Sequence, residues 1–143
     1  MAEVLAINTS DKKGVIKVPV EEAEIIEDFG IKGDAHGGPW HRQISLLANE
    51  SVDKMRASGL QLDCGVFAEN ITTKGIELHT LPIGTRLRIG ETIQEVTQIG
   101  KECHHGCAIK QQVGHCIMPT EGIFTKVIKG GTLKAGDAIE IIQ

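Results

Sequence analysis

The chain has 143 residues, with 19 Asp and Glu against 15 Lys and Arg and a formal net charge of −4. That is the length of one domain, 1–143, and the acidic balance excludes a broad phosphate-tracking surface, so nucleic acid is not an expected partner. The opening Met1-Ala-Glu-Val-Leu-Ala-Ile7 lacks a basic stretch and a long apolar run, and no segment reaches bilayer-spanning length. A soluble cytoplasmic protein without membrane contact is expected, and in that compartment four cysteines point to reactivity or metal binding rather than disulfides.

Nineteen Ile, 9 Val and 10 Thr stand beside only four aromatics (Phe29, Phe67, Phe124, Trp40), and 17 glycines punctuate the chain. Short β-branched runs between glycine turns predict a mainly β fold with an aliphatic core. In chain order the expected strands are Val4 to Asn8, Val15 to Val18, Ala23 to Ile26 and Gln43 to Ala48. Asn49 can then cap a helix over Glu50 to Ser58, acidic early and basic late, with Gly59 as its stop. Strands follow at Phe67 to Thr72, Arg86 to Ile89 and Ile93 to Gln98. A second short helix is expected from Cys107 to Val113, ending at Gly114, and strands close the chain at Gly122 to Ile128 and Ala138 to Ile142. Two similar turns, Leu81-Pro-Ile-Gly-Thr-Arg-Leu-Arg-Ile89 and Leu133-Lys-Ala-Gly-Asp-Ala-Ile-Glu-Ile141, each lead into alternation. This pattern reads as a closed or nearly closed β-barrel with two or three short helices. No linker or repeat marks a second domain.

The loop Gly33-Asp34-Ala-His36-Gly37-Gly38-Pro39-Trp40-His41-Arg42 combines glycines, which let backbone approach a ligand, with acids, bases and a cation. It has neither the glycine spacing nor the Lys-Ser/Thr of a phosphate loop. Asp34 and His36 have an equally simple reading as groups that satisfy turn N–H donors, with Trp40 as a plug at the barrel end. Arg42 is the stronger ligand candidate. It could grip a phosphate or carboxylate bidentately, or pair with a carboxylate such as Glu69. In Phe67-Ala-Glu69-Asn70-Ile71-Thr72, Glu69 and Asn70 interrupt an apolar run, so period-two alternation turns one of them inward, as a binding element or as a buried hydrogen-bonding group. His79 reads as a surface residue.

Cys103 is the focus of the chemistry. It follows the strand pattern Glu95-Val-Thr-Gln-Ile-Gly-Lys-Glu, and Lys101, His104 and His105 beside it favour the thiolate. Such a thiol attacks sulfur or carbonyl centres and, once persulfidated, can pass on its terminal sulfur, with Cys107 near enough in sequence to act as a resolving thiol. The alternative is metal: three Cys and three His fall between Cys103 and Cys116, and zinc favours thiolate with imidazole. The spacing lacks the paired Cys-x2-Cys knuckles of a structural zinc site. Cys64 and Cys116, flanked by apolar residues, read as core or supporting positions.

Taken in order, Gly-Asp-x-His, Arg-Gln-Ile-Ser-Leu-Leu, Phe-x-Glu-Asn-Ile, Leu-Pro-Ile-Gly-Thr-x-Leu-x-Ile-Gly, Glu-Val-Thr-Gln, Cys103 and Gly-Ile-Phe-x-Lys-Val resemble the molybdenum cofactor sulfurase C-terminal (MOSC) domain family, from about residue 4 to the end. The resemblance implies a barrel of the pyruvate-kinase type and a role in sulfur or molybdenum-cofactor chemistry. It places the signature cysteine at Cys103, and recurrent polar positions at Asp34, Arg42, Glu69 and Asn70. Two functions follow as expectations. In the first, Cys103 accepts sulfane sulfur from a separate pyridoxal-phosphate-dependent cysteine desulfurase, with His104 lowering its pKa. It then serves molybdenum-cofactor biosynthesis proteins or molybdoenzymes, while Arg42, Asn70, Glu69, His36 and Asp34 face the molybdopterin. No covalently bound pyridoxal phosphate is expected in this chain. In the second, Cys103 is itself the molybdenum ligand. A zinc-stabilised fold built on Cys103, Cys107, Cys116 and a histidine is the structural alternative.

Overall fold

The computed structural model describes residues 2–12, 16–57, 69–100 and 121–142. Eleven strands and one α-helix are found among them. In chain order these are β1 (Glu3–Thr9), β2 (Val18–Val20), β3 (Glu22–Ile26), β4 (Gly30–Ile31), β5 (Ile44–Ala48), α1 (Asn49–Arg56) and β6 (Ile71–Lys74). A 3-10 turn at Leu78–Thr80 follows, then β7 (Arg86–Ile89), β8 (Thr92–Ile99), β9 (Ile123–Lys129), β10 (Gly131–Lys134) and β11 (Ile139–Ile142). No helix among the described residues is long and apolar enough to cross a membrane.

Eight strands form one sheet in the order β11-β7-β8-β9-β5-β6-β1-β2, and β10-β3-β4 form a second. The large sheet is mixed. β5 and β6 run parallel with α1 between them in the chain, as a crossover requires, whereas the other pairs are antiparallel. β11, at one end of this sheet, also touches β1, the last strand but one at the other, without a continuous ladder between them. Glu3 bridges Ala138, the amide of Val4 donates to the Asp137 carbonyl, and the amide of Ile139 donates to that of Ala2.

β5 is buried along its whole length because strands flank both edges and both faces are covered. Ile44, Leu46 and Ala48 join the main aliphatic core with Val4, Ile7, Ile71, Leu87, Ile89 and Val96. Leu47 and Val52 are buried outside that cluster, where α1 lies against β5 and β6. Gly30 is required where β4 passes this layer. Its φ is +121°, and a Cβ there would sit 2.7 Å from the Gln43 carbonyl oxygen, so any side chain would meet both strain and a clash.

Several expectations need correction. The second strand, expected over Val15 to Val18, begins at Val18 after Ile16 and Lys17, and Val15 lies outside the described residues. The strand expected over Phe67 to Thr72 starts at Ile71, so Glu69 and Asn70 precede it rather than interrupt it. The alternation argument for a single inward residue therefore does not apply, and both side chains are fully buried. Asn49 opens α1 as a helical residue, and its amide oxygen accepts from Arg56 Nη1 at 2.7 Å. β4 and β10 were not expected: one is two residues long, and the other is separated from β9 only by Gly130. The helix expected over Cys107 to Val113 lies outside the described residues.

Candidate functional site

The glycine-rich loop between β4 and β5 is anchored from beneath by a buried ion pair. Asp34 Oδ1 accepts from Lys17 Nζ at 2.7 Å and from the Ser10 amide at 3.1 Å, while Oδ2 accepts from the His36 amide at 3.0 Å. Both charged side chains are 0 % exposed. Burial alone would push the Asp34 carboxyl up. The Lys17 hydrogen bond and charge, the His36 amide and the neighbouring Asn70 side chain outweigh it and hold the carboxyl below its ordinary value. Asp34 therefore ties the chain after β1, the chain before β2 and its own turn to one point.

A second buried polar layer adjoins it. Asn70 Oδ1 accepts from the Ser45 amide and hydroxyl at 2.9 and 3.1 Å, and its Nδ2 donates to the Asn8 carbonyl at 3.2 Å. Asn8 Nδ2 donates to the Glu69 carbonyl and to Thr72 Oγ1, both at 3.1 Å, and Thr72 Oγ1 donates to Glu69 Oε2 at 2.8 Å. These contacts join β1, β5 and the entry to β6, so a short polar stretch before a strand becomes a three-way clamp. Most buried polar groups in folded proteins are bonded in this manner.

Above these layers the loop ends in a cluster that reaches solvent. Arg42 Nε donates to Gln98 Oε1 at 3.0 Å, and its guanidinium carbon lies 5.2 Å from the Phe124 ring centroid. His41 Nε2 is also 3.0 Å from Gln98 Oε1. Gln98 Nε2 donates to the Gly100 carbonyl at 2.7 Å, which fixes the amide so that its oxygen faces both residues. His41 Nε2 therefore acts as the donor. The Thr97 hydroxyl bonds the His41 carbonyl, and Trp40, exposed rather than a plug, donates its indole N–H to the His36 carbonyl at 2.8 Å. No hydrogen bond to the two terminal nitrogens of Arg42 is found among the described residues.

Arg42, His36 and Asp34 thus share one loop, with Asn70 and Glu69 in the floor beneath it. Glu69 does not serve as the Arg42 partner; among the described residues Arg42 bonds Gln98. Cys103, His104 and Cys107, the neighbouring Lys101, His105 and His115, and Cys64 and Cys116, expected as core or supporting positions, lie outside the described residues. Among the described residues no group of three His, Cys, Asp or Glu side chains could hold a metal. Lys17, Ser45, Asn8 and Gln98 were not anticipated. The signal for Lys17 is a lysine inside Val15-Ile16-Lys17-Val18-Pro19-Val20, where a cation breaks an apolar run; the other three have no such mark.

A further charged group joins α1 to the start of β9. Glu121 accepts from Ser51 Oγ at 2.6 Å and from Lys54 Nζ at 2.9 and 3.0 Å, with His79 Nδ1 3.9 Å away. His79 is therefore half-buried against a carboxylate rather than a free surface residue. Desolvation would raise the Glu121 carboxyl, but the Ser51 and Lys54 hydrogen bonds, then the Lys54 and His79 charges, bring it below its ordinary value.

A mainly β chain with a mixed sheet and this anchored loop is of the MOSC class. The MOSC domain profile matches residues 32–140, and the chain belongs to the MOSC domain family, which is linked to molybdenum cofactor sulfurases. Similar solved structures include the YUAD protein from Bacillus subtilis, 18% identical, with a TM-score of 0.81 over 98% of this chain and 94% of that one. The YiiM proteins of Geobacillus stearothermophilus and Escherichia coli are 20% and 19% identical, with TM-scores of 0.75 and 0.73. Each alignment covers 100% of this chain, and 76% and 70% of theirs respectively. These likenesses concern the fold. No match was found among curated proteins.

Proposed function

We propose that this chain is a sulfur-carrying, molybdenum-cofactor-handling protein whose working atom is the sulfur of Cys103. The observation that carries the reading is the Arg42–Gln98–His41 cluster at the end of β8, inside a MOSC domain. Gly100 is held there by its amide, which donates to the Gly122 carbonyl at 2.6 Å. Cys103 follows Gly100 by three residues, a stretch of chain that reaches no more than about 11 Å. The large sheet, whose β1 and β11 touch through Glu3 and Ala138, acts in this reading as a barrel with the loop at its mouth.

The residues suit an anionic pterin at one position. Arg42 has Nε committed to Gln98 and its plane supported by Phe124, so its two terminal nitrogens present a fixed donor pair of the kind that binds phosphate bidentately. Asp34, Asn70 and Glu69 are buried and bonded to protein, and in this reading they hold the loop rather than touch the ligand. The molybdenum cofactor, when bound, supplies the metal centre that sulfur would reach.

The thiolate of Cys103, favoured by Lys101 and His104, attacks the sulfane sulfur of a persulfide on a separate pyridoxal-phosphate-dependent cysteine desulfurase. The donor's cysteine leaves as thiolate and Cys103 becomes the persulfide. Attack by the Cys107 thiolate on the inner sulfur then releases hydrosulfide and leaves a Cys103–Cys107 disulfide, so the two electrons come from the pair of thiols. The setting is the reducing cytoplasm, and the acceptors are molybdenum-cofactor biosynthesis proteins or molybdoenzymes. Incubation with a desulfurase and cysteine should add about 32 Da to Cys103, absent in Cys103→Ser and longer-lived in Cys107→Ser. No added mass on Cys103 removes the carrier role.

The donor pair of Arg42 also favours a second reading, in which the domain retains the cofactor with Cys103 as the metal's ligand. Stoichiometric molybdenum and pterin on protein from a cofactor-producing host, lost in Cys103→Ser, would establish it.

A further inference from the structure

Lined by none of the Arg42 loop's residues, three depressions form one trough. The first, about 330 Å³, meets the second, about 640 Å³, at Glu50, Ile76 and Glu77. The second meets the third, about 530 Å³, at Leu81 and Ile141. Along the trough the chemistry changes from Glu50 and Glu77, beside Lys54 and His79 which both face Glu121, through Leu81, Ile83 and Ile141, to Arg86. Ile83 and Ile141 are 65% and 55% exposed, two of the three most exposed large apolar side chains among the described residues.

The trough follows a strand whose outer edge is only partly paired among the described residues. β11 pairs with β7 on one side, while on the other the chain around β1 bonds the turn and start of the strand, at Gly136, Asp137, Ala138 and Ile139. Amides two residues apart on a strand point the same way, so the Ile141 amide faces away from β7 as well, with no backbone partner among the described residues.

We propose that this trough is the interface of a two-fold symmetric dimer of this chain. A surface that meets its own copy across a two-fold axis must be self-complementary, because residue i meets residue j and j meets i. An order of acid, apolar, base about Leu81 has that property, and a surface for an unrelated partner has no need of it. An axis through Leu81 and Ile141 sets Glu77 against the partner's Arg86, and Arg86 against the partner's Glu77, while Ile83 and Ile141 of both copies close over the centre. Glu77 has no ion-pair partner among the described residues. Arg86 shares Glu95 with Lys126, at 3.2 and 3.5 Å, so two cations meet one carboxylate and positive charge remains for the partner.

Sedimentation equilibrium tests this directly. The wild-type chain should show twice its 15.4 kDa, and Ile141→Asp should show one protomer's mass. Glu77→Arg and Arg86→Glu should each be monomeric alone, since both contacts then join like charges. An equimolar mixture of the two should dimerise, because the mixed pair has opposite charges at both contacts. Cooperative thermal melts of each variant establish that it is folded. A wild-type chain that stays monomeric at about 100 µM, well above the Kd of a specific complex, overturns the proposal. So does a charge variant that remains dimeric, or a mixture that fails to associate. None of these readouts depends on Cys103.

Discussion

Two lysine–carboxylate pairs of similar length occupy opposite surroundings. Lys17 and Asp34 are 2.7 Å apart with both side chains 0% exposed, whereas Lys54 and Glu121 are 2.9 Å apart with side chains 60% and 14% exposed. In the first, each charge has left water and depends on its partner; in the second, the ammonium keeps its hydration. Equal geometry therefore carries unequal consequence. The buried pair is a fixed support for the Arg42 loop, while the exposed one only fastens α1 to the start of β9.

Removing the buried lysine should separate the two regions most strongly. Lys17→Met leaves a carboxylate sealed without its cation and should cost about 3–5 kcal/mol, read as a lower midpoint in urea. The double variant Lys17→Met/Asp34→Leu should recover much of that loss, because no uncompensated charge remains. If Lys17→Met costs no more than an exposed substitution, the pair is not the support described here.

A smaller contrast should appear in acid. Both carboxyls are held below their ordinary values, 3.8 for Asp34 and 4.5 for Glu121. As pH falls, the unfolded chain therefore binds each proton before the folded chain does. Their contribution is complete above those ordinary values and is lost as pH drops through the lower, folded ones. The stability gap between wild type and Asp34→Asn should accordingly narrow below about pH 4. A gap that stays constant from neutral to acidic pH would mean that Asp34 gains nothing from its charge.

The smallest effect should come from Lys54→Met, within about 1 kcal/mol and further reduced by salt, since an exposed ammonium in water gains little from pairing. A loss as large as that of Lys17→Met would erase the distinction between the two sites.

Much of the fold was legible because period-two alternation and glycine turns are local properties. β7 was read to the residue, and β1, β5, β8 and β9 to within one residue at each end. β8 shows the limit of such a pattern. Alternation predicts a strand but not which face is covered, and the buried face carries Thr92, Gln94 and Val96 rather than Ile93. It is closed by Thr125 Oγ1 donating to Gln94 Oε1 at 2.6 Å, a pairing set by register with β9. The polar loop residues stood out by type, and Arg42 by its place before an apolar run. Their partners did not: Gln98 is 56 residues away from Arg42, and Asn8 is 62 from Asn70.

The amino-acid sequence by itself determined a strand-rich chain, a glycine-rich loop armed with Asp34 and Arg42, and a cysteine after the longest alternating run. These follow from side-chain shape, turn preference and charge, which each residue carries wherever it sits. Tertiary structure alone decided that Lys17 is the counter-ion of Asp34, that Asn70 faces inward while Arg42 reaches solvent, and that Ile141 of β11 joins Leu81 and Ile83 between Glu77 and Arg86. Each depends on which strands become neighbours and in what register, and so on free energies of burial that exist only once the whole sheet has formed.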